Sequence, residues 1–112
     1  MQQDEVKFVG VTDLNKDEQD TIKMLSTEYF EKIKRSVNEL VSMTVLVKTH
    51  HTEGKRKKYS IHMKAAIPER TFTSTKASDW DVARTMHIAG KECLAQIEHA
   101  LHVSDKGKAI KR

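Results

Sequence analysis

Basic and imidazole side chains recur through residues 48–64, KTHHTEGKRKKYSIHMK, at a spacing suited to binding anions. Lys48, His50, Arg56, Lys58, His62 and Lys64 all fall at even positions, with smaller or apolar residues between most of them. In an extended chain every second side chain points to the same side, so this set would form one field of ammonium, guanidinium and imidazole groups. Such groups bind phosphate oxygens by charge and hydrogen bonding, and they position a nucleic acid without reading its bases. The competing reading is a solvated cluster that keeps a sheet soluble and its edge unpaired.

Other chemistries find less support. The six histidines invite a metal site, and His99 and His102 could share a helix face. His50 and His51 would point to opposite sides of a strand, however, and no spacing matches a zinc pattern, so no metal is expected. Cys93 falls on an apolar helical stripe, where a thiol acts as a small inert apolar group. There is no Gly-rich phosphate loop, no Gly-x-Ser-x-Gly and no nucleophile with an evident base. Most carboxylates sit where helices begin, and capping explains them. The chain reads as a non-enzyme, with no cofactor and no small-molecule substrate.

The basic residues must be held by a hairpin. Val41, Met43, Val45 and Val47 alternate with polar residues, and so do Tyr59, Ile61, Met63 and Ala65. A three-residue loop Thr52-Glu53-Gly54 would pair His51 with Lys55, a common loop with glycine in the left-handed region. The register that follows is Val47–Tyr59, Val45–Ile61, Met43–Met63 and Val41–Ala65 on the apolar face. His50–Arg56, Lys48–Lys58, Leu46–Ser60, Thr44–His62 and Ser42–Lys64 then share the polar face. Lys48 opposite Lys58, with no acid nearby, suggests a face awaiting an anion. Lys55 and Lys57, near the tip, can be explained as solvated.

Around this hairpin the chain supplies a cover. Val6–Val11 reads as a first strand. Asn15 and Glu18 form a capping box for a helix running to about Arg35, with Ile22, Leu25, Tyr29, Phe30 and Ile33 inward. A strand–helix–strand succession places the first strand parallel to the hairpin's first strand. Pro68 and Glu69 turn the chain into a short strand, Arg70–Lys76, that pairs Ala65 with Phe72 and puts Thr71, Thr73 and Thr75 on the polar face. Ser78, with Asp81 at the reciprocal position, would cap the last helix. Val82, Met86, Ala89, Cys93, Ile97 and Leu101 form its buried stripe, flanked by Trp80 and Leu94. Gly90 within that stripe suggests close packing. The expected fold is a two-layer α+β domain in the order β-α-β-β-β-α, a four-stranded sheet with both helices on one face. One domain spans residues 1–103, and residues 104–112 form a flexible basic tail.

Charge follows the same division. Residues 1–47 hold six basic and nine acidic side chains, a net −3, whereas residues 48–112 hold fourteen and seven, a net +7. The sequence favours an acidic partner. No apolar run approaches the roughly 20 residues that span a bilayer, and the polar start MQQDEVKF lacks a secretory signal. A single cysteine fits a reducing compartment, so the expected location is the cytoplasm, without membrane contact.

A basic sheet face with few aromatic residues points to structured RNA bound through phosphates and shape. Tyr59 and Phe72 are assigned to the core, so base stacking is not evident, and the Gly-x-x-Gly clamp of a KH domain is absent. The segment Asp79-Trp80-Asp81-Val82-Ala83, followed by Lys91 and Leu94-Ala95-Gln96-Ile97, resembles a known pattern. The ribosome hibernation-promoting factor family, also described as ribosome-associated inhibitors, has a similar acidic-aromatic-alanine helix start and a later Gln-Leu signature. The stretch KRKKYSIHMKAAI is similar to that family's strand pair, and the resemblance covers residues 6–102. It implies an rRNA-binding protein of the small-subunit decoding cleft that silences translation as a stress response, without catalysis or cofactor. The positions it implies for rRNA contact are Lys48, Lys58, His62, Lys64, Arg84 and Lys91. Ala95 stands where the family often has a basic residue, the spacing to Gln96 is offset, and the chain would correspond to a short, single-domain form. Two other readings stay open: a general structured or double-stranded RNA-binding module without a ribosomal role, and a protein-interaction module using the outer helix faces. The oligomeric state is undetermined by the sequence.

Overall fold

Strand β1 (Glu5–Val9) ends where Gly10 takes the backbone to φ 85°, in the left-handed region that disfavours a side chain. A Cβ at Gly10 would also collide with the Val47 carbonyl oxygen, so the glycine is needed twice over. The first strand therefore stops short of Val11, its expected end. Val11–Asp13 forms a single 3-10 turn closed by the Leu14 N–H donating to the Val11 carbonyl at 3.0 Å. The computed structural model describes residues 5–37, 42–51, 57–68 and 70–109, leaving out the side chains at 5, 51 and 101–109.

Helix α1 (Lys16–Val37) starts as its sequence predicts. The Glu18 N–H donates to Asn15 Oδ1 at 2.8 Å, and the Asn15 N–H donates to Glu18 Oε1 at 3.0 Å. These reciprocal bonds satisfy donors that a helix start otherwise leaves orphaned. Asp17 and Glu18 complement the positive end of the helix dipole, and Lys34 and Arg35 the negative end. Ile22, Leu25, Tyr29, Phe30 and Ile33 are buried, joined by Ser26.

The strands β2 (Ser42–His51), β3 (Lys57–Ile67) and β4 (Arg70–Asp79) complete a sheet in the order β1-β2-β3-β4. β1 pairs with β2 in parallel, and the other neighbours are antiparallel. The fold is the expected α+β arrangement. One core joins Met43, Val45 and Val47, Tyr59, Ile61, Met63 and Ala65 to the inward residues of both helices.

Further local expectations are corrected. The hairpin register is displaced by two residues. Val47 pairs with Ile61, Val45 with Met63 and Met43 with Ala65, while His51 pairs with Lys57 rather than Lys55. An even displacement changes every partner but keeps every side chain on its face. The proposed loop Thr52-Glu53-Gly54 and Val41 lie outside the described residues.

Ala65 does pair with Phe72, which is buried, but β4 continues to Asp79 instead of ending at Lys76. Its register shifts between Ile61 and Met63, so that Thr75 and Lys76 are both exposed and Ala77 returns to the core. A strict alternation would have buried the Lys76 ammonium; the bulge avoids that cost.

Helix α2 (Val82–Ala109) is capped by Asp81, not by Ser78, which is still in β4 opposite Ser60. Asp81 Oδ1 accepts from the N–H groups of Ala83 at 2.9 Å and Arg84 at 3.1 Å. Residues 104–109, expected in the tail, continue the backbone of this helix. Met86, Ala89, Cys93 and Ile97 are buried, whereas Leu94 is half-buried. Gly90 lies against α1: a Cβ there would sit 2.5 Å from the Tyr29 ring. That contact brings the helices together closely enough for the Tyr29 hydroxyl to hydrogen-bond His87 Nδ1 at 2.8 Å.

Candidate nucleic-acid interface

The helices cover one face of the sheet, and the residues of the other face can be read across it in rows. Lys7, Thr44, Lys64 and Thr73 form one row from β1 to β4. Val9, Leu46 and His62 form the next, ending at the bulge. Lys48, Ser60 and Ser78 follow, and then His50 opposite Lys58. Five of the residues singled out from the sequence thus share this face: Lys48, His50, Lys58, His62 and Lys64. From Lys58 to Lys64 the field extends roughly 20 Å at the usual rise of a strand.

Lys48 is opposite Ser60, so the head-on pairing with Lys58 inferred from the sequence does not occur. The lysines stand diagonally, where repulsion is weaker. What marks the face is therefore the scarcity of acids rather than a forced clash. Among the strand residues whose side chains are described, none on this face is an acid. Lys48, His50 and Lys64 are exposed, and Lys58 and His62 are half-buried. His50 Nε2 and Ser60 Oγ lie 3.4 Å apart. Thr44, Leu46, His62, Lys64, Thr73 and Thr75 line a shallow depression of about 250 Å³ in the middle of the face.

The remaining predicted residues lie elsewhere. Arg56 is outside the described residues. Arg84 and Lys91 are exposed on α2, which packs on the covered side of the sheet. Arg84 Nη1 is 3.4 Å from Asp79 Oδ2 at the start of that helix. Lys57, which the sequence left to solvent, pairs with Glu18 Oε1 at 3.4 Å.

Trp80 is the residue that sequence reasoning misplaced. The sequence sets it on the flank of the last helix's buried stripe, yet it precedes α2, is 40% exposed, and has the Lys58 ammonium 5.6 Å from its ring centroid. The misplacement follows from the cap. Once Asp81, immediately before the first apolar residue of the repeat, is taken as the cap, Trp80 falls in the connection between sheet and helix.

Acidic and thiol groups outside this face have structural duties. Glu18 accepts from the Tyr59 hydroxyl and from the Lys57 ammonium. Burial raises its pKa, but the Tyr59 hydroxyl, the Asn15 N–H and Lys57 together outweigh that and hold it below the ordinary value. Burial first, and then the Glu18 carboxylate, push Tyr59 up to about 12. Burial likewise pushes the Cys93 thiol up to about 11, with Glu92 adding to it, which fits an inert core cysteine. Among the described residues no three His, Cys, Asp or Glu side chains converge on a possible metal position. No helix among them is long and apolar enough to cross a membrane.

Fold and face together define a class: a two-layer α+β domain whose open sheet surface is basic. No protein-family model matches the chain, and no curated protein matches it by sequence. Among solved structures it is similar to the crystal structure of the Thermus thermophilus Protein Y N-terminal domain, with a TM-score of 0.56 and 11% identity. The match covers 88% of this chain and 98% of that one. At that identity the likeness speaks to the fold.

Proposed function

We propose that the protein binds ribosomal RNA of the small subunit through its open sheet face and silences translation by occupying the decoding cleft. The observation that carries the proposal is the placement of Lys48, Lys58 and Lys64, with His50 and His62, on one uncovered sheet face poor in acids. Two further lines support it. The sequence resembles the hibernation-promoting factor family over residues 6–102, and the element order implied by that resemblance is the one observed. The Protein Y N-terminal domain shares the fold over nearly its whole length. Binding of this kind needs no catalytic group.

Equilibrium binding to purified small ribosomal subunits tests the proposal, with a blunt RNA duplex as competitor. We expect subunits to bind tightly and the duplex to compete poorly. A Lys48→Glu, Lys64→Glu double variant should bind at least about tenfold more weakly, because each reversal turns a phosphate contact into a repulsion. Equal competition by duplex would favour a general structured-RNA module. Full retention of binding by the double variant would move the interface off this face.

A further inference from the structure

The turn between β4 and α2 holds an indole where hydropathy alone would put a core residue. Trp80 is 40% exposed, directly after the last residue of β4, with the Lys58 ammonium over its ring. Its position is fixed from both sides. Asp79 Oδ2 accepts from the Asp81 N–H at 3.3 Å and pairs with Arg84, while Asp81 Oδ1 caps the helix. The Thr85 hydroxyl donates to the Asp81 carbonyl at 2.7 Å, closing the same turn. Both carboxylates adjoining Trp80 are therefore engaged in shaping the turn.

We propose that Trp80 and Lys58 form a subsite for one unpaired nucleotide of an RNA strand, the indole stacking on its base and the Lys58 ammonium meeting its phosphate. This rests on the RNA-binding reading above and adds a preference that the other basic residues do not supply. Lysines on a sheet face bind the phosphates of single and paired strands alike. An indole can stack only on a base whose face is open, and it does so with little regard to base identity. The Lys58 ammonium over the ring shows that its π-face is within reach of the sheet's cationic field. His50, directly opposite Lys58 on β2, adds a donor to that field on the sheet side. Little backbone order is lost on binding, because the turn that carries the indole is already fixed.

Trp80 is the single tryptophan of the chain, so its emission reports on this position alone. The test titrates the full chain with a single-stranded oligoadenylate and, separately, with a blunt RNA duplex of about the same length. The oligoadenylate should quench the tryptophan emission and the duplex should bind without comparable quenching. Trp80→Ala should weaken oligoadenylate binding about 5- to 100-fold while leaving duplex binding nearly unchanged, and Trp80→Phe should retain most of the affinity. Oligoadenylate binding with unchanged emission, or with equal affinity in Trp80→Ala, overturns the subsite and leaves the wider basic face intact. Failure to bind the oligoadenylate by a chain that still binds purified small subunits overturns the subsite alone, and failure to bind small subunits as well overturns both. The quenching arm uses the unaltered protein, so the outcome does not depend on the variants folding.

Discussion

Glu18 ties three parts of the molecule together through one carboxylate. It closes the capping box of α1, accepts from Tyr59 on β3 and pairs with Lys57 at the start of that strand. Its side chain is only 13% exposed, so these bonds act where solvent screens them little. The depressed pKa means that folding favours the ionised form. Its contribution is complete above the unfolded-state value of about 4.3 and disappears as pH falls through the lower folded-state value. Glu18→Gln keeps a hydrogen-bonding side chain but loses the charge. We predict a loss of about 1–2 kcal/mol at neutral pH from urea unfolding, with the gap to wild type narrowing in acid. A gap that widens as pH falls would contradict the assignment. At this scale the sequence revealed the cap but not the tether, because Tyr59 and Lys57 are far along the chain and only the folded sheet brings them to Glu18.

Elements were legible where periodicity decides, and less so where loops and breaks decide. Apolar alternation in β2 and β3 fixes which side chains face the core, and that assignment is correct. Alternation does not distinguish registers that differ by two, so the partner of each residue depended on the loop length, and the three-residue loop misplaced it. The bulge in β4 carried a sequence signal of its own: continued alternation from Phe72 and Ser74 would have buried Lys76. Gly90 was legible as a site of close approach, and Tyr29 is what it meets. Gly90→Ala gains helix propensity, worth about 1 kcal/mol, but drives a methyl group into a ring that is itself buried. The net expectation is destabilisation by about 1–3 kcal/mol, seen as a lower midpoint in thermal unfolding. A higher midpoint would mean that the helices can separate at that point without cost.

Across the whole molecule, the layers differ in how their charges are balanced. The first helix carries five acids and five bases, while the hairpin places lysines and histidines on the uncovered layer of the sheet, where acids are scarce. The basic face was legible because strand parity survives an even register error. Trp80 was not, since an indole's hydropathy is that of the core and its placement depends on which residue caps α2. If the open face engages about four to five phosphates, the logarithm of affinity should fall against the logarithm of salt with a slope on the order of −3 to −4.5. The most direct test is sedimentation of the protein with purified ribosomes and small subunits through sucrose gradients at low and moderate salt. Wild-type chain should travel with the small subunit and whole ribosome at low salt and be released steeply as salt rises. The Lys48→Glu, Lys58→Glu, Lys64→Glu variant should stay at the top of the gradient. A wild-type chain that stays at the top at every salt concentration, or a charge-reversed chain that still travels with the small subunit, would contradict binding through this face.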